Sequence, residues 1–239
     1  MNTLPKLDTP TYTLKIPSTG DEVTYRPYVV KEEMILLNAA ESKDEQTIIR
    51  EILRLVDICT YDKLDLDSLT LYDLEYIFIK LRSVSVGEKS TVLLKCEKDQ
   101  IQHEYEIDLR DIKLVWPEDA DQEEMQKKIM LSDTIGITVS HIPATALRHL
   151  SSSDKSTDTI MKLIACCVVD IFSKDGVWRK EDVTQEEILE FISQFTNTQL
   201  NEIQKFVGAS PELQYTAKWK CLKCGHQNEI TLRGIADFF

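Results

Sequence analysis

The strongest limit on how this chain can fold lies near its end. There Trp219-Lys220-Cys221-Leu222-Lys223-Cys224-Gly225-His226 leads into Asn228-Glu229-Ile230-Thr231-Leu232 and then Gly234-Ile235-Ala236-Asp237-Phe238-Phe239. A Cys-x-x-Cys followed by Gly and flanked by strand-like runs is the pattern of a zinc knuckle, a tight hairpin that offers two thiolates from one turn. It is half a site, because structural zinc takes four ligands.

A second stretch has the same plan. Lys95-Cys96-Glu97-Lys98-Asp99 lies over Lys220-Cys221-Leu222-Lys223-Cys224, and His103-Glu104-Tyr105-Glu106-Ile107 over His226-Gln227-Asn228-Glu229-Ile230, with the first copy two residues longer between these anchors. The pair reads as a duplicated knuckle in which Asp99 stands where the second copy has Cys224. Thiolate, imidazole and carboxylate all bind zinc, so Cys96, Asp99, His103, Cys221, Cys224 and His226 are the candidate metal ligands if the hairpins meet. The alternative is a pair of hairpins held by strand pairing and apolar packing after loss of the metal. Zinc, if bound, is expected to be structural.

Composition narrows the partners. Across 239 residues, 41 acidic groups against 28 basic ones give a formal net charge of -13, a surface that repels phosphate backbones and argues for protein partners over nucleic acid. The hydrophobic share of 42% is enough for a sizeable core. Met1 to Lys6 has no apolar stretch of signal-peptide length and no segment approaches a membrane span, so the expectation is a chain that is neither exported nor membrane-spanning. Six scattered cysteines suit a reducing cytoplasm better than a disulfide framework.

Along the chain, Tyr12, Leu14 and Ile16 alternate with polar residues before a Pro17 to Asp21 turn, which predicts an opening β-hairpin. Apolar residues at helical spacing run from Met34 to Cys59, with the charged run Glu41 to Glu45 marking either a break or a solvated face. Thr70 with Asp73 starts a helix carrying Leu74, Ile77, Phe78 and Leu81. The Cys96 hairpin follows, extended by Lys113 to Trp116. Ile135 to Val139 reads as a short strand, and Ser151-Ser152-Ser153-Asp154 as a loop or helix entry. From Asp158, the series Ile160, Leu163, Ile164, Cys167, Val168, Ile171 and Phe172 predicts one central helix. Thr184 with Glu187 caps the next, and Thr196 or Thr198 starts another that ends at Gly208 to Pro211. The expected fold is α+β, a mainly helical body with small antiparallel hairpins, two of them knuckle-like. A boundary over 117–125 divides it into 1–116 and 117–239, with a single intertwined domain as the alternative.

Catalytic signatures are absent: there is no GxSxG, HExxH, Walker A or GxGxxG arrangement, and only seven glycines. The expectation is a protein that is not an enzyme.

Four stretches together resemble the baseplate-hub family of T-even-type contractile-tailed bacteriophages. They are Asp73-Leu74-Glu75-Tyr76 with Leu81-Arg82-Ser83-Val84-Ser85-Val86-Gly87, the Cys96 hairpin ending Ile107-Asp108-Leu109, Phe195 to Pro211 with Gln199-Leu200 and Phe206, and Cys224-Gly225 through Asp237-Phe238-Phe239. The resemblance runs from about residue 30 to the end and departs at Asp99, where a second Cys is expected. It implies a non-enzymatic structural component of the tail baseplate hub, assembled in the host cytoplasm and contacting other hub and tail proteins in an oligomeric virion structure. Two alternatives accompany it: a transient hub-assembly chaperone, and a zinc-binding regulatory protein. Asp237, Phe238 and Phe239 are the candidate partner-binding residues, with burial in the chain's own core as the competing role for the two rings.

Overall fold

The computed structural model of the protein describes residues 7–42, 44–118, 120–122, 124–149 and 157–238. Met1 to Lys6, the loop expected over 151–154 and the terminal Phe239 lie outside the described residues. In chain order the elements are β1 (Tyr12–Lys15), β2 (Glu22–Tyr25), α1 (Val30–Ser42), α2 (Glu45–Cys59), α3 (Leu71–Ser85), β3 (Lys89–Lys95), β4 (Gln102–Asp108), β5 (Lys113–Val115), β6 (Gln126–Met130), β7 (Gly136–Ser140), α4 (Thr157–Cys167), β8 (Val168–Ser173), β9 (Gly176–Arg179), α5 (Gln185–Ile192), α6 (Asn197–Val207), β10 (Glu212–Lys220) and β11 (Gln227–Arg233). Short 3-10 turns occupy Ala144–His149, Lys180–Asp182 and Ile235–Phe238.

About 38% of the chain is helix and 29% strand, a mixed α+β fold. The expectation of a mainly helical body is therefore corrected. Its main error falls at 158–172, where α4 stops at Cys167 and Val168, Ile171 and Phe172 sit on β8, between β7 and β9. A continuous apolar run fits a buried helix and a buried strand equally well; β-branched Val168, Val169 and Ile171 favour the pleat, and the turn at Lys174-Asp175 returns the chain as β9. Strand β6 has no counterpart in the sequence reading, since Gln126-Lys127-Lys128 shows no apolar alternation; it pairs with β7 at the edge of the same sheet. Strand β5, expected to extend the first knuckle hairpin, pairs instead with β10, placing Leu114 opposite Leu213.

Helix starts follow local chemistry. Thr70, Thr184 and Thr196 each accept a hydrogen bond from the backbone N–H three residues on, and the side-chain oxygens of Asp73, Glu187 and Gln199 each accept one from the cap's backbone N–H. Asp73 does more than cap. Its second carboxylate oxygen accepts from Ser18 N at 2.9 Å, which ties the β1-β2 turn to the start of α3.

Three apolar clusters organise the described residues. The first packs the β1-β2 hairpin on α2 and α3, through Leu14, Ile16, Tyr25, Leu53, Val56, Cys59, Leu74, Ile77 and Leu81. The second sets the four-stranded sheet against α4, α5 and α6, with Ile137, Val139, Ile164, Val168, Ile188, Ile192, Ile203 and Phe206 inside. The third lies between the β3-β4 hairpin and the β11-β10-β5 sheet, where Val92, Leu94, Ile107 and Leu109 meet Leu213, Ala217, Leu232 and Phe238. Helix α3 joins the first and third, because Ile77 and Leu81 face one and Ile79 the other.

Candidate metal centre

The third cluster brings the two hairpins together tip to tip, and the tips have the same backbone. In the first, Cys96 N donates to Ile101 O at 2.9 Å and Gln100 N to Cys96 O at 2.9 Å; in the second, Cys221 N donates to His226 O at 2.8 Å and Gly225 N to Cys221 O at 2.9 Å. Gln100 and Gly225 occupy the same left-handed position, with φ of 60° and 71°. The flanking strands close with Lys95 opposite Gln102 and Lys220 opposite Gln227. The loops are thus of equal length, which corrects the two-residue offset expected from the sequence. Asp99 does align with Cys224, but His103 aligns with Asn228, and Ile101 takes the place of His226. Matching the two histidines misled the alignment, since they sit at different points of the same turn.

Cys96, Asp99, Cys221 and Cys224 converge, with one ligand atom from each within 4.8 Å of the others. The sulfurs of Cys96 and Cys224 are 3.6 Å apart, and Cys221 Sγ is 3.5 Å from Asp99 Oδ2. Tetrahedral zinc with Zn–S near 2.3 Å and Zn–O near 2.0–2.2 Å requires S···S edges of about 3.8 Å and S···O edges of about 3.6 Å. Donor types and spacing therefore fit a four-coordinate metal ion. Cys96 and Cys221 are fully buried and Cys224 is partly exposed, so the cluster is closed by protein on most sides.

Backbone and neighbours also shape the donors' protonation. Burial opposes ionisation of Cys96, but the N–H groups of Asp99 and Lys98, with Cys224 and Asn228, hold its thiol below the ordinary thiol range. Burial likewise opposes ionisation of Asp99, and the Ile101 N–H with the three thiols outweighs it, leaving the carboxyl below its usual value. For Cys224 the N–H of His226 favours the thiolate, while burial, the other two thiols and Asp99 push it up to about 11.

The remaining candidates fall in different places. His103 Nε2 lies 3.3 Å from Cys221 Sγ, against the cluster. His226 is turned away, with its Nε2 3.8 Å from Glu97 Oε2 at the surface. Asn228, which carried no signal in the sequence beyond being polar on an apolar strand, is buried; its Oδ1 accepts from Glu97 N, next to Cys96, at 3.0 Å, and its amide donates to His226 O at 3.2 Å. At the chain's end Phe238 is fully buried in the third cluster and its carbonyl accepts from Ser90 Oγ at 2.9 Å. Of the two roles weighed for that ring, it occupies the core. Asp237 is exposed and accepts from Arg233 N at 2.8 Å, closing the last turn. Ser140, next to His141, points its hydroxyl at the carbonyls of His141 and Cys167, while the imidazole bonds Ser210 Oγ at 2.8 Å and stacks on Phe206.

No helix among the described residues is long and apolar enough to cross a membrane. No curated protein and no solved structure matches the chain. The family model of the T4 bacteriophage base plate protein matches residues 9–239, which include both knuckles and all three apolar clusters, and the chain accordingly belongs to that family of phage baseplate proteins.

Proposed function

We propose that the protein is a subunit of the baseplate hub that binds other hub and tail-tip proteins during assembly in the host cytoplasm and remains in the virion. The family match over 9–239 carries this reading. Two surface properties support it. Val30, Met34 and Leu37 recur at helical spacing on α1 and are all exposed, an apolar stripe of the kind that packs against a partner. The net charge of -13 favours basic protein partners over nucleic acid. Quantitative mass spectrometry of purified particles tests it: the hub reading expects the chain at a fixed stoichiometry in finished virions. Presence in infected cells but not in particles supports the second reading, a transient assembly chaperone, which the same acidic surface favours as a means of keeping a basic partner soluble.

The metal centre is proposed to hold a structural zinc through Cys96, Asp99, Cys221 and Cys224. Zinc bound there supplies cross-linking between two hairpins far apart in sequence, which is folding free energy and not reaction chemistry. The donor separations support this reading. Metal analysis of the purified full-length chain expects one zinc per chain, lost when Cys221→Ser and Cys224→Ser are combined; a metal-free wild-type chain, refolded in the presence of zinc and still metal-free, would sink it.

A further inference from the structure

We propose that His103 is a positioning residue for the metal centre, reaching from the first knuckle to the first cysteine of the second, while Asn228, at the equivalent place of the second knuckle, crosses to the backbone beside Cys96 and holds the two tips together. The proposal rests on the zinc reading above and concerns what lies behind the ligands.

The two residues hold equivalent places. Each is the second residue of the strand leaving its turn, β4 for His103 and β11 for Asn228, and the equal loops put them in register. Each crosses over. His103 of the first hairpin meets Cys221 of the second at 3.3 Å, and Asn228 of the second accepts from the Glu97 backbone N–H of the first at 3.0 Å. Asn228 also donates to His226 O at 3.2 Å, so its amide is held by both tips at once.

The need for such donors follows from charge. Three thiolates and a carboxylate bring four negative charges to a divalent ion, leaving two uncompensated in a site whose first cysteines are fully buried. Hydrogen bonds to ligand sulfur spread that charge and fix the orientation of the ligand. Backbone N–H groups supply part of the need: that of Cys224 lies 3.5 Å from Cys221 Sγ. His103 supplies a side-chain donor, at Cys221. His103 acts with its proton on Nε2. Its ring nitrogen contacts Cys221 and does not belong to the group of four mutually close ligand atoms, which makes it a supporting residue and not a fifth ligand.

Cobalt(II) is the probe, added to the full-length chain and to His103→Leu, His103→Gln and Asn228→Leu, with zinc affinity measured in parallel by competition against a chromophoric chelator. The wild type is expected to show tetrahedral cobalt bands and sulfur-to-cobalt charge transfer. In His103→Leu the tetrahedral bands should persist, the charge-transfer band should shift to lower energy, and zinc affinity should fall about 10–100-fold; Asn228→Leu, which removes the tie between the two tips, should lower zinc affinity as well. His103→Gln, which keeps an N–H donor, should recover most of the loss. His103 is only half-buried, so its variants test the proposal even where Asn228→Leu fails to fold. Unchanged affinity and charge transfer in His103→Leu overturn the proposal while leaving the zinc reading intact. Loss of the tetrahedral bands in His103→Leu also overturns it, by making His103 a ligand. A wild-type chain that takes up neither ion overturns the zinc reading and this proposal with it.

Discussion

Arg26 and Glu32 show how a single buried pair links stability to pH. The guanidinium donates to both carboxylate oxygens, at 2.9 and 2.8 Å, and Glu32 Oε2 also accepts from Val29 N at 2.8 Å. The Arg26 hydrogen bonds, first, and the Val29 N–H outweigh burial and hold the Glu32 carboxyl below its usual value. A carboxyl depressed in the folded state contributes stability that is fully present above the unfolded value of about 4.3 and is lost as pH falls through the folded value. Glu32→Gln should therefore cost roughly 3 kcal/mol near neutrality, because it leaves a poorly solvated guanidinium unpaired. The difference from wild type should shrink as pH drops toward 3, as urea titrations at several pH values can measure. Gly136 makes a second test. A Cβ there would sit 2.3 Å from Phe172 Cζ and 2.9 Å from Ile129 O, between two neighbouring strands. Gly136→Ala is expected to destabilise by about 1–3 kcal/mol through forced repacking, whereas Gly176→Ala, which meets nothing within 4 Å, should be near neutral.

At the scale of elements, capping was the most legible signal. Thr70, Thr184 and Thr196 were all readable as helix starts, because a hydroxyl followed three residues later by Asp, Glu or Gln is a local pattern that needs no tertiary partner. The second bond of Asp73, to Ser18 N, was not readable, since it joins residues 55 apart. Asp73→Asn should consequently cost less than Asp73→Ala, which orphans both the cap and the Ser18 N–H. The expected loss for Ala is about 2–4 kcal/mol, with hydrogen-exchange protection falling in the β1-β2 turn as well as at the start of α3. Strand β3 shows a mixed balance: Thr91 to Lys95 reads as a β-like run, but Val92-Leu93-Leu94 is continuously apolar, and only the fold turns Ser90, Val92 and Leu94 inward while Leu93 is exposed. The passage from α4 to β8 was illegible because its apolar residues satisfy both periods, and only the pairing with β7 and β9 decides between them.

For the whole molecule, the boundary drawn over 117–125 leaves the second cluster whole but cuts through the third, and through the first, which takes in Ala144. We propose one intertwined unit. A fragment of residues 1–116 leaves Val92, Leu94, Ile107 and Leu109 without Leu213, Leu232 and Phe238, and should be aggregation-prone unless co-expressed with 117–239. Sedimentation and co-purification check this; a soluble, monomeric 1–116 with cooperative unfolding would count against it. Metal removal is the second test at this scale. If zinc is held at free concentrations about 100-fold above its dissociation constant, it contributes about 2.7 kcal/mol, so a chelator should lower the thermal midpoint by about 5–10 °C. The Cys221→Ser, Cys224→Ser double variant should show the lower midpoint and no response to the chelator.

The amino-acid sequence by itself determined what is local: the capped helices, the alternating strands, the two Cys-centred turns and the alignment of Asp99 with Cys224. Each depends on residues within a few positions of one another, where backbone preference and hydrogen bonding act before any distant contact forms. Tertiary structure alone decided that the two turns meet, that His103 and not His226 reaches the thiols, that Asn228 crosses to the Glu97 backbone, and that Phe238 closes the core beneath them. These outcomes depend on how two hairpins more than a hundred residues apart dock through apolar side chains. Spacing along the chain carries no record of that geometry.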